Sequence, residues 1–319
     1  MGATFTYETL TDGVATLERK ALVLSYRELA LPDSLENVKL SANEEEYVAI
    51  VHDQIAIIPR LFAPFLDIPS ASDLEPSQKA LVDSANLIRT VQRSGNPGKL
   101  SEPANLALSA IESAGDSLLA WTGDAAREFK RDYLNPMPIR LTAQQEMVLL
   151  CAELVARERA IWEETANSVA EIVNRGIDAV DFLMSEMHKA VLPITLTVVA
   201  GIATIAAAAT GPGASIALRL VLAGADAAAG IGGETVPEEE KLQMTLHAAS
   251  ASEVIVELNR AVTALITQIY EAEQTIAQVL YKAAGYIIEN REIYVPKRPL
   301  LATTAGMSVA DQRYLGING

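Results

Sequence analysis

Beyond residue 142 the apolar positions fall into one long, regular pattern with a single interruption. Val173, Ile177, Val180, Met184, Met187 and Val191 alternate four- and three-residue steps. The same rhythm links Met244, Ala248, Ala251, Ile255, Leu258, Val262, Leu265, Ile269, Ala272, Ile276, Val279, Ala283 and Tyr286. That spacing predicts two long helices sharing a heptad seam, each about 50 residues and on the order of 75 Å long. Between them lies Ala190–Gly233, whose only formal charges are Arg219 and Asp226. Gly211-Pro212-Gly213 divides this stretch into two arms of roughly 20 residues, the length that crosses a bilayer as helix. Glycine supplies positive φ and proline fixes φ, so the divider suits a tight reversal. The pattern thus predicts an antiparallel coiled-coil stalk carrying an apolar helical hairpin at its tip.

The first 140 residues are less periodic. Residues 3–37 read as irregular, with short strands around Thr4–Tyr7 and Val23–Tyr26 and turns at Pro32-Asp33-Ser34 and Asn37. Ser41 with Glu44 predicts a capping box opening a helix to about residue 58, with Val48, Val51, Ile55 and Ile58 on one face. Ser72 with Glu75 predicts a second box, opening a helix to about Arg93, and Thr142 with Gln145 a third. A helix from Ser101 leads to Trp121-Thr122-Gly123-Asp124, a short helix follows, and Asn135-Pro136-Met137-Pro138 reads as a linker. The tail from Tyr294 is irregular, but Leu300, Leu301, Val309 and Leu315 make it apolar enough to dock. The expected fold class is therefore all-α: an elongated helical bundle with the stalk and its apolar tip. Its expected organisation is an irregular arm at 1–40, a helical head at 41–140, the long hairpin at 141–292 with its tip at 190–233, and an irregular tail at 293–319.

Charge narrows the partners. The formal net charge is −16, from 41 acidic and 25 basic residues. Nucleic acid is not an expected partner, because phosphate binding needs a basic face, and resting attraction to anionic membranes is disfavoured. Cys151 is the single cysteine, so no internal disulfide forms. The opening MGATFTYETLTDG has neither a basic nor an apolar leader segment, so no cleavable signal peptide is expected.

Signals for chemistry are sparse. His52, His188 and His247 form no zinc-binding pattern, the glycine clusters complete no phosphate loop, and no nucleophile elbow is present. Glu44–Glu46 and Glu238–Glu240 fall where first helical turns favour negative charge. Neither an enzyme nor a cofactor or metal site is expected. His188 and His247 lie where the stalk should meet the hairpin, which makes them candidates for sensing acid.

The Trp121-Thr122-Gly123-Asp124 turn has a physical logic of its own. Gly123 permits a tight helix–helix turn, Asp124 can cap the second helix, and Trp121 can cover the bend. Helix, Trp-Thr-Gly-Asp-Ala-Ala, helix resembles the Trp-x-Gly family of type VII (ESX) secretion substrates, including its longer PPE and Esp-type members, over about residues 101–190. The resemblance implies a helical hairpin that pairs with a partner's hairpin. It also implies a secreted or cell-surface protein exported without a cleaved signal. The family's Tyr-x-x-x-Asp/Glu export signal is missing: Tyr286, for example, is followed four positions on by Asn290. Export by that route would then depend on a partner that carries the signal.

Two readings of the apolar stretch follow. In the first, stalk and tip resemble α-helical pore-forming toxins of the cytolysin-A and Hbl type, which implies a soluble form that hides the apolar segment and an oligomer that exposes it. Leu192, Leu196, Val199, Ile202 and Ile205 would line one arm. Gly211, Pro212 and Gly213 would form the turn, with Ile216, Leu220 and Leu222 on the return arm. Arg219 and Asp226, seven apart, share a face and could pair across protomers or line a water-filled pore. A lipid bilayer is then a partner beside further copies of the chain. In the second reading the arms are buried between protomers of a soluble ring, or of a secretion-associated or phage-like assembly. Ala and Thr are weak membrane residues, and no Trp or Tyr belt flanks the arms. Either way the segment needs a cover, because exposing half of it to water would cost on the order of tens of kcal/mol. The conditional membrane-inserting reading is preferred.

Overall fold

The computed structural model describes residues 4, 6–89, 105, 108, 122–186, 190–196 and 242–296. The elements are α1 (Leu10–Glu28), α2 (Ala42–Ile55), α3 (Ile57–Phe62), α4 (Glu75–Leu87), α5 (Asp124–Phe129), α6 (Met137–Glu186), β1 (Ala190–Leu196), β2 (Leu242–Ala248), α7 (Ala251–Glu289) and α8 (Arg291–Tyr294), with short 3-10 and π turns between some of them. The class is all-α, with one two-stranded sheet among the described residues. Two compact units are formed, one from residues 4–74, 157–196 and 242–275 and the other from 75–156 and 276–296. Both α6 and α7 contribute to each.

The first unit gathers around α1. Residues 3–37, expected to be irregular, contain this helix of 19 residues. Leu10, Val14, Leu17, Ala21 and Leu24 recur at helical spacing and are all buried, a period obscured in sequence by Gly13 and β-branched neighbours. Ile58 and Phe62 of α3, Ile172 and Val173 of α6, and Leu258 and Leu265 of α7, all in the same unit, are buried as well. A close approach is made at Gly176 of α6. A Cβ there would come within 3.0 Å of Leu258 Cδ2 and 3.2 Å of Leu17 Cδ1, so the glycine is what lets α1 and α7 close on α6. Burying such a stripe on one face is the main stabilising term of a surface helix.

Local signals succeed and fail for identifiable reasons. At α2 the Ser41–Glu44 box forms: the Glu44 carboxylate accepts from Ser41 N–H at 2.6 Å, and Glu44 N–H donates to Ser41 Oγ at 3.4 Å. Of the expected face, Ile55 and Ile58 are buried and Val48 and Val51 half-buried. The second box is displaced. Asp73 reaches back, accepting from Ser70 N–H at 3.2 Å, and a 3-10 turn at Ala71–Leu74 precedes α4. That helix ends at Leu87, short of Arg93.

In the second unit Gly123 is the N-cap of α5, with φ 96° and ψ 177°. This backbone is strained for any residue with a Cβ. Asp124 is the first helical residue rather than the cap. The expected linker at 135–138 is instead a tight joint: Asn135 is itself helical in φ and ψ, and α6 starts at Met137. Pro136 and Pro138 fit because proline is tolerated in a first turn, where its missing N–H has no partner to lose. Thr142 caps nothing. It lies inside α6 and its hydroxyl donates to Pro138 O at 3.0 Å. Arg140, buried, donates to Asp132 O at 2.9 Å and to Glu292 O at 3.2 Å, while Gln144 donates to Tyr294 O at 2.7 Å, so the start of α6 holds α8.

The largest correction concerns the start of the apolar stretch and the chain just before α7. Residues 190–196 and 242–248, expected as helix, are β-strands. Pro193 cannot continue a helix without removing a hydrogen bond and clashing one turn back, and Val191, Ile194 and Thr195 favour extended backbone. The expected helical segments from Trp121 back to Ser101, the arms from Val199 to Asp226, His188, and the tail beyond residue 296 lie outside the described residues, apart from Asn105 and Leu108.

Candidate functional site: the paired strands at the base of the apolar segment

Two antiparallel strands pair Ala190–Leu196, the start of the apolar segment, with Leu242–Ala248, which begins nine residues past its end at Gly233. The register runs from Ala190 opposite Ala248 to Leu196 opposite Leu242. Alternation gives the ribbon two faces. Leu246 and Ala248 are buried, with Leu192 half-buried opposite Leu246. On the other face Val191, 58% exposed, stands opposite the exposed His247. Leu192 and Leu196 are therefore strand residues at the base of the segment, not members of a helical arm. His247 sits on a solvent-facing strand position rather than on a stalk helix.

The segment departs from one end of this ribbon and returns to it; the other end joins the two longest helices. Both joints are held by α1, the helix that sequence reading missed. Near the end of α6, Asp181 accepts from Lys20 Nζ at 2.6 and 2.7 Å, a partly buried bidentate pair. At the start of α7, the Glu28 carboxylate accepts from Ala251 N–H at 2.9 Å. Glu253 adds a local cap, accepting from Ala249 N–H at 2.6 Å while its own N–H donates to Ser250 Oγ at 3.2 Å. These bonds satisfy amides that a helix start leaves without intrahelical partners.

The electrostatics of the second joint are strained. Burial pushes the Glu28 carboxyl above its ordinary value; the Ala251 N–H pulls the other way, and Glu253 adds to the rise. Glu273 on α7 is likewise raised, by burial and then by Glu158 of α6. Like charges in the first unit thus oppose one another on elements that must stay packed. Lys20, Glu28 and Asp181 carry no signal in sequence, since their partners lie more than 150 positions away.

The described residues offer little else for chemistry. Among them no group of three or more His, Cys, Asp or Glu is placed to hold a metal ion. Burial raises the Cys151 thiol, which disfavours the reactive thiolate. His52 contacts Tyr26 Oη through Nε2 at 2.8 Å beside an open groove of about 500 Å³ between α1 and α2. One helical run, Ala42–Phe65, has the length and mean hydropathy (1.3) to cross a bilayer, but Ile55, Ile58, Phe62 and Phe65 commit one face of it to the core. Comparison of the chain with protein-family models, curated proteins and solved structures finds no match.

Proposed function

We propose that this is a non-enzymatic, oligomer-forming helical protein, secreted or displayed at the cell surface, whose apolar segment inserts conditionally into membranes. In this reading α6 and α7 pack as an antiparallel stalk, and residues 197–241 form its business end. The observation that carries it is the strand register, because it gathers at one point beyond the two longest helices both ends of the 197–241 segment, in which residues 197–233 are apolar with Arg219 and Asp226 their only charges. A segment tethered in this way can leave its cover and enter lipid without unfolding the helices that deliver it. The lack of Trp or Tyr belts fits conditional insertion rather than a permanent anchor. The Trp-x-Gly turn, with Gly123 held at positive φ, is the proposed contact for a helical-hairpin partner.

A second reading makes the chain a structural subunit of a soluble ring or a secretion-associated or phage-like assembly, with residues 197–241 buried between protomers. The net charge of −16 favours it, because such a surface avoids anionic membranes. Dye release from phosphatidylcholine vesicles separates the two. The full chain should release dye, and a variant with residues 198–240 replaced by an Asn-Gly turn should not, while keeping its helical circular dichroism. A full chain that releases no dye at neutral or acid pH and elutes as a discrete ring would sink the membrane reading.

A further inference from the structure

The groove between α1 and α2 holds about 500 Å³, a size typical of small-ligand sites. Each wall sets an acid beside a base: Glu18 and Arg19 on α1, His52 and Asp53 on α2. Helical spacing places Leu22 on the face of Glu18 and Arg19, and Ile55 beside the turn that carries His52. Leu22 is half-buried and Ile55 buried, so the two form an apolar floor under a charged rim. Ala15 and Ala56 complete the lining, and their small side chains leave the space between the helices open. The whole groove lies in the first unit.

The rim presents donors and acceptors that are already set. Tyr26 is buried, which raises its hydroxyl above the ordinary value and keeps its proton in place. Its hydrogen-bond partner is His52 Nε2, at 2.8 Å, so the hydroxyl donates there and the neutral imidazole carries its own proton on Nδ1. Among the described residues Arg19 makes no ion pair with Glu18 or Asp53, whereas Arg27 on the same helix closes on Asp33 at 2.6 Å. Opposite charges therefore line one groove without neutralising each other. Simple ions fit this set poorly. An anion would meet two carboxylates, and a cation would meet a guanidinium. A metal ion would lack ligands, because no group of three or more His, Cys, Asp or Glu among the described residues is placed to hold one. A molecule that carries both charges meets neither penalty.

We infer that this groove binds a phosphocholine headgroup, with its phosphate on Arg19 and His52 and its quaternary ammonium between Glu18 and Asp53. A guanidinium suits phosphate because it donates two parallel N–H bonds. A quaternary ammonium donates no hydrogen bond, so it can rest on Leu22 and Ile55, whereas a primary ammonium brings three donors that an apolar floor cannot pair. In a chain of net charge −16, recognition of a zwitterionic lipid supplies the attachment that electrostatics denies on an anionic one. The lipid as the headgroup's source rests on the membrane-inserting reading above; the headgroup chemistry does not.

The test uses the full chain and soluble phosphocholine. Calorimetric titration should show one saturable site. Arg19→Gln, or Glu18→Gln with Asp53→Asn, should weaken it about tenfold or more. These side chains are exposed or half-exposed, so helical circular dichroism should not change. Inorganic phosphate, choline and phosphoethanolamine should each bind more weakly than phosphocholine by a similar factor. No saturable binding, an Arg19→Gln chain that binds like the wild type, or phosphate or choline bound as tightly would overturn the proposal. Free phosphocholine should also compete away flotation of the chain with phosphatidylcholine vesicles. Flotation that is absent, or indifferent to the competitor, would overturn the lipid source. The variant lacking residues 198–240 should bind phosphocholine normally. Dye release without phosphocholine binding would therefore sink the groove alone, and phosphocholine binding without dye release the insertion alone.

Discussion

Along α7 the same four-three spacing runs from Ala251 to Tyr286, yet its two parts use that spacing differently. In the first unit Ala251, Val254, Ile255, Leu258, Ala261, Val262, Leu265 and Ile269 are all buried. In the second, Val279 and Ala283 are buried, while Ile276 and Tyr286 are only half-buried. Buried positions in the first part include i+3 and i+4 neighbours on both sides of the seam, where Leu258 meets α6 at Gly176 beside Leu17 of α1 and Ala251 N–H donates to Glu28 of α1. A heptad pattern therefore tells which face of a helix is used; it does not tell how many neighbours cover it.

The comparison is most easily broken at its best-packed point. Leu258→Ala should cost about 3–4 kcal/mol, in the range for buried leucines whose surroundings cannot collapse. That should lower Tm by roughly 6–12 °C. Val279→Ala should cost about half as much or less, because it removes less volume from a thinner layer. Amide exchange should be slower across 251–275 than across 276–289. Equal losses for the two substitutions, with equal protection along the helix, would show that both parts are packed alike.

Acid provides a second, smaller contrast. In the first unit Glu28 and Glu273 have raised values in the fold, so the folded chain binds protons more readily than the unfolded one. Stability should then rise as pH falls from 7 toward the ordinary glutamate value of 4.5. Asp33 and Glu44 act in the opposite sense. Bonds from Arg27 and Ser41 hold them below their ordinary values, so their contribution is lost only as pH drops through those lowered values. A Tm maximum on the acid side of neutral follows. Glu28→Gln and Glu273→Gln should raise Tm at pH 7 and flatten the rise between pH 7 and 5. In the second unit Tyr294 is buried and pushed up to about 12, first by burial and then by Tyr286 and Glu146. That unit should lose stability as pH climbs past tyrosine's ordinary 10. A Tm that falls steadily from pH 7 to 5 would contradict the assignment.

Much of the helical framework was legible in sequence, and the failures share a cause. Residues four apart face the same way on a helix and on a strand. Met244 and Ala248 therefore fit the heptad whether or not the chain is helical, and the spacing could not expose β2. At β1 the signal against helix is Pro193, set among residues at helical spacing. Capping boxes behaved similarly. Ser41–Glu44 stands at the head of an isolated amphipathic run and forms, whereas Thr142–Gln145 has the same letters inside a helix whose start is fixed upstream by Pro136 and Pro138. At the candidate site Leu192 and Leu196 are apolar enough to suit a helical arm, yet belong to the ribbon. The three side chains that hold its joints, Lys20, Glu28 and Asp181, depend on tertiary pairing that no local pattern encodes.

The smallest effects come from two helical glycines, which sharpen the same contrast. Replacing glycine by alanine inside a helix ordinarily gains roughly 0.5–1 kcal/mol, because the unfolded chain loses freedom and the helix does not. At Gly285 nothing lies within 4 Å of the new methyl, so Gly285→Ala should realise that gain and raise Tm by about 1–4 °C. At Gly176 the methyl would meet Leu258 at 3.0 Å and Leu17 at 3.2 Å, and both leucines are fully buried. Overpacking of this kind costs about 1–3 kcal/mol, which exceeds the propensity gain. Gly176→Ala should therefore lower Tm modestly, and Gly176→Val should lower it further. If both alanine variants were stabilised alike, α1, α6 and α7 would be less tightly closed at Gly176 than the distances require.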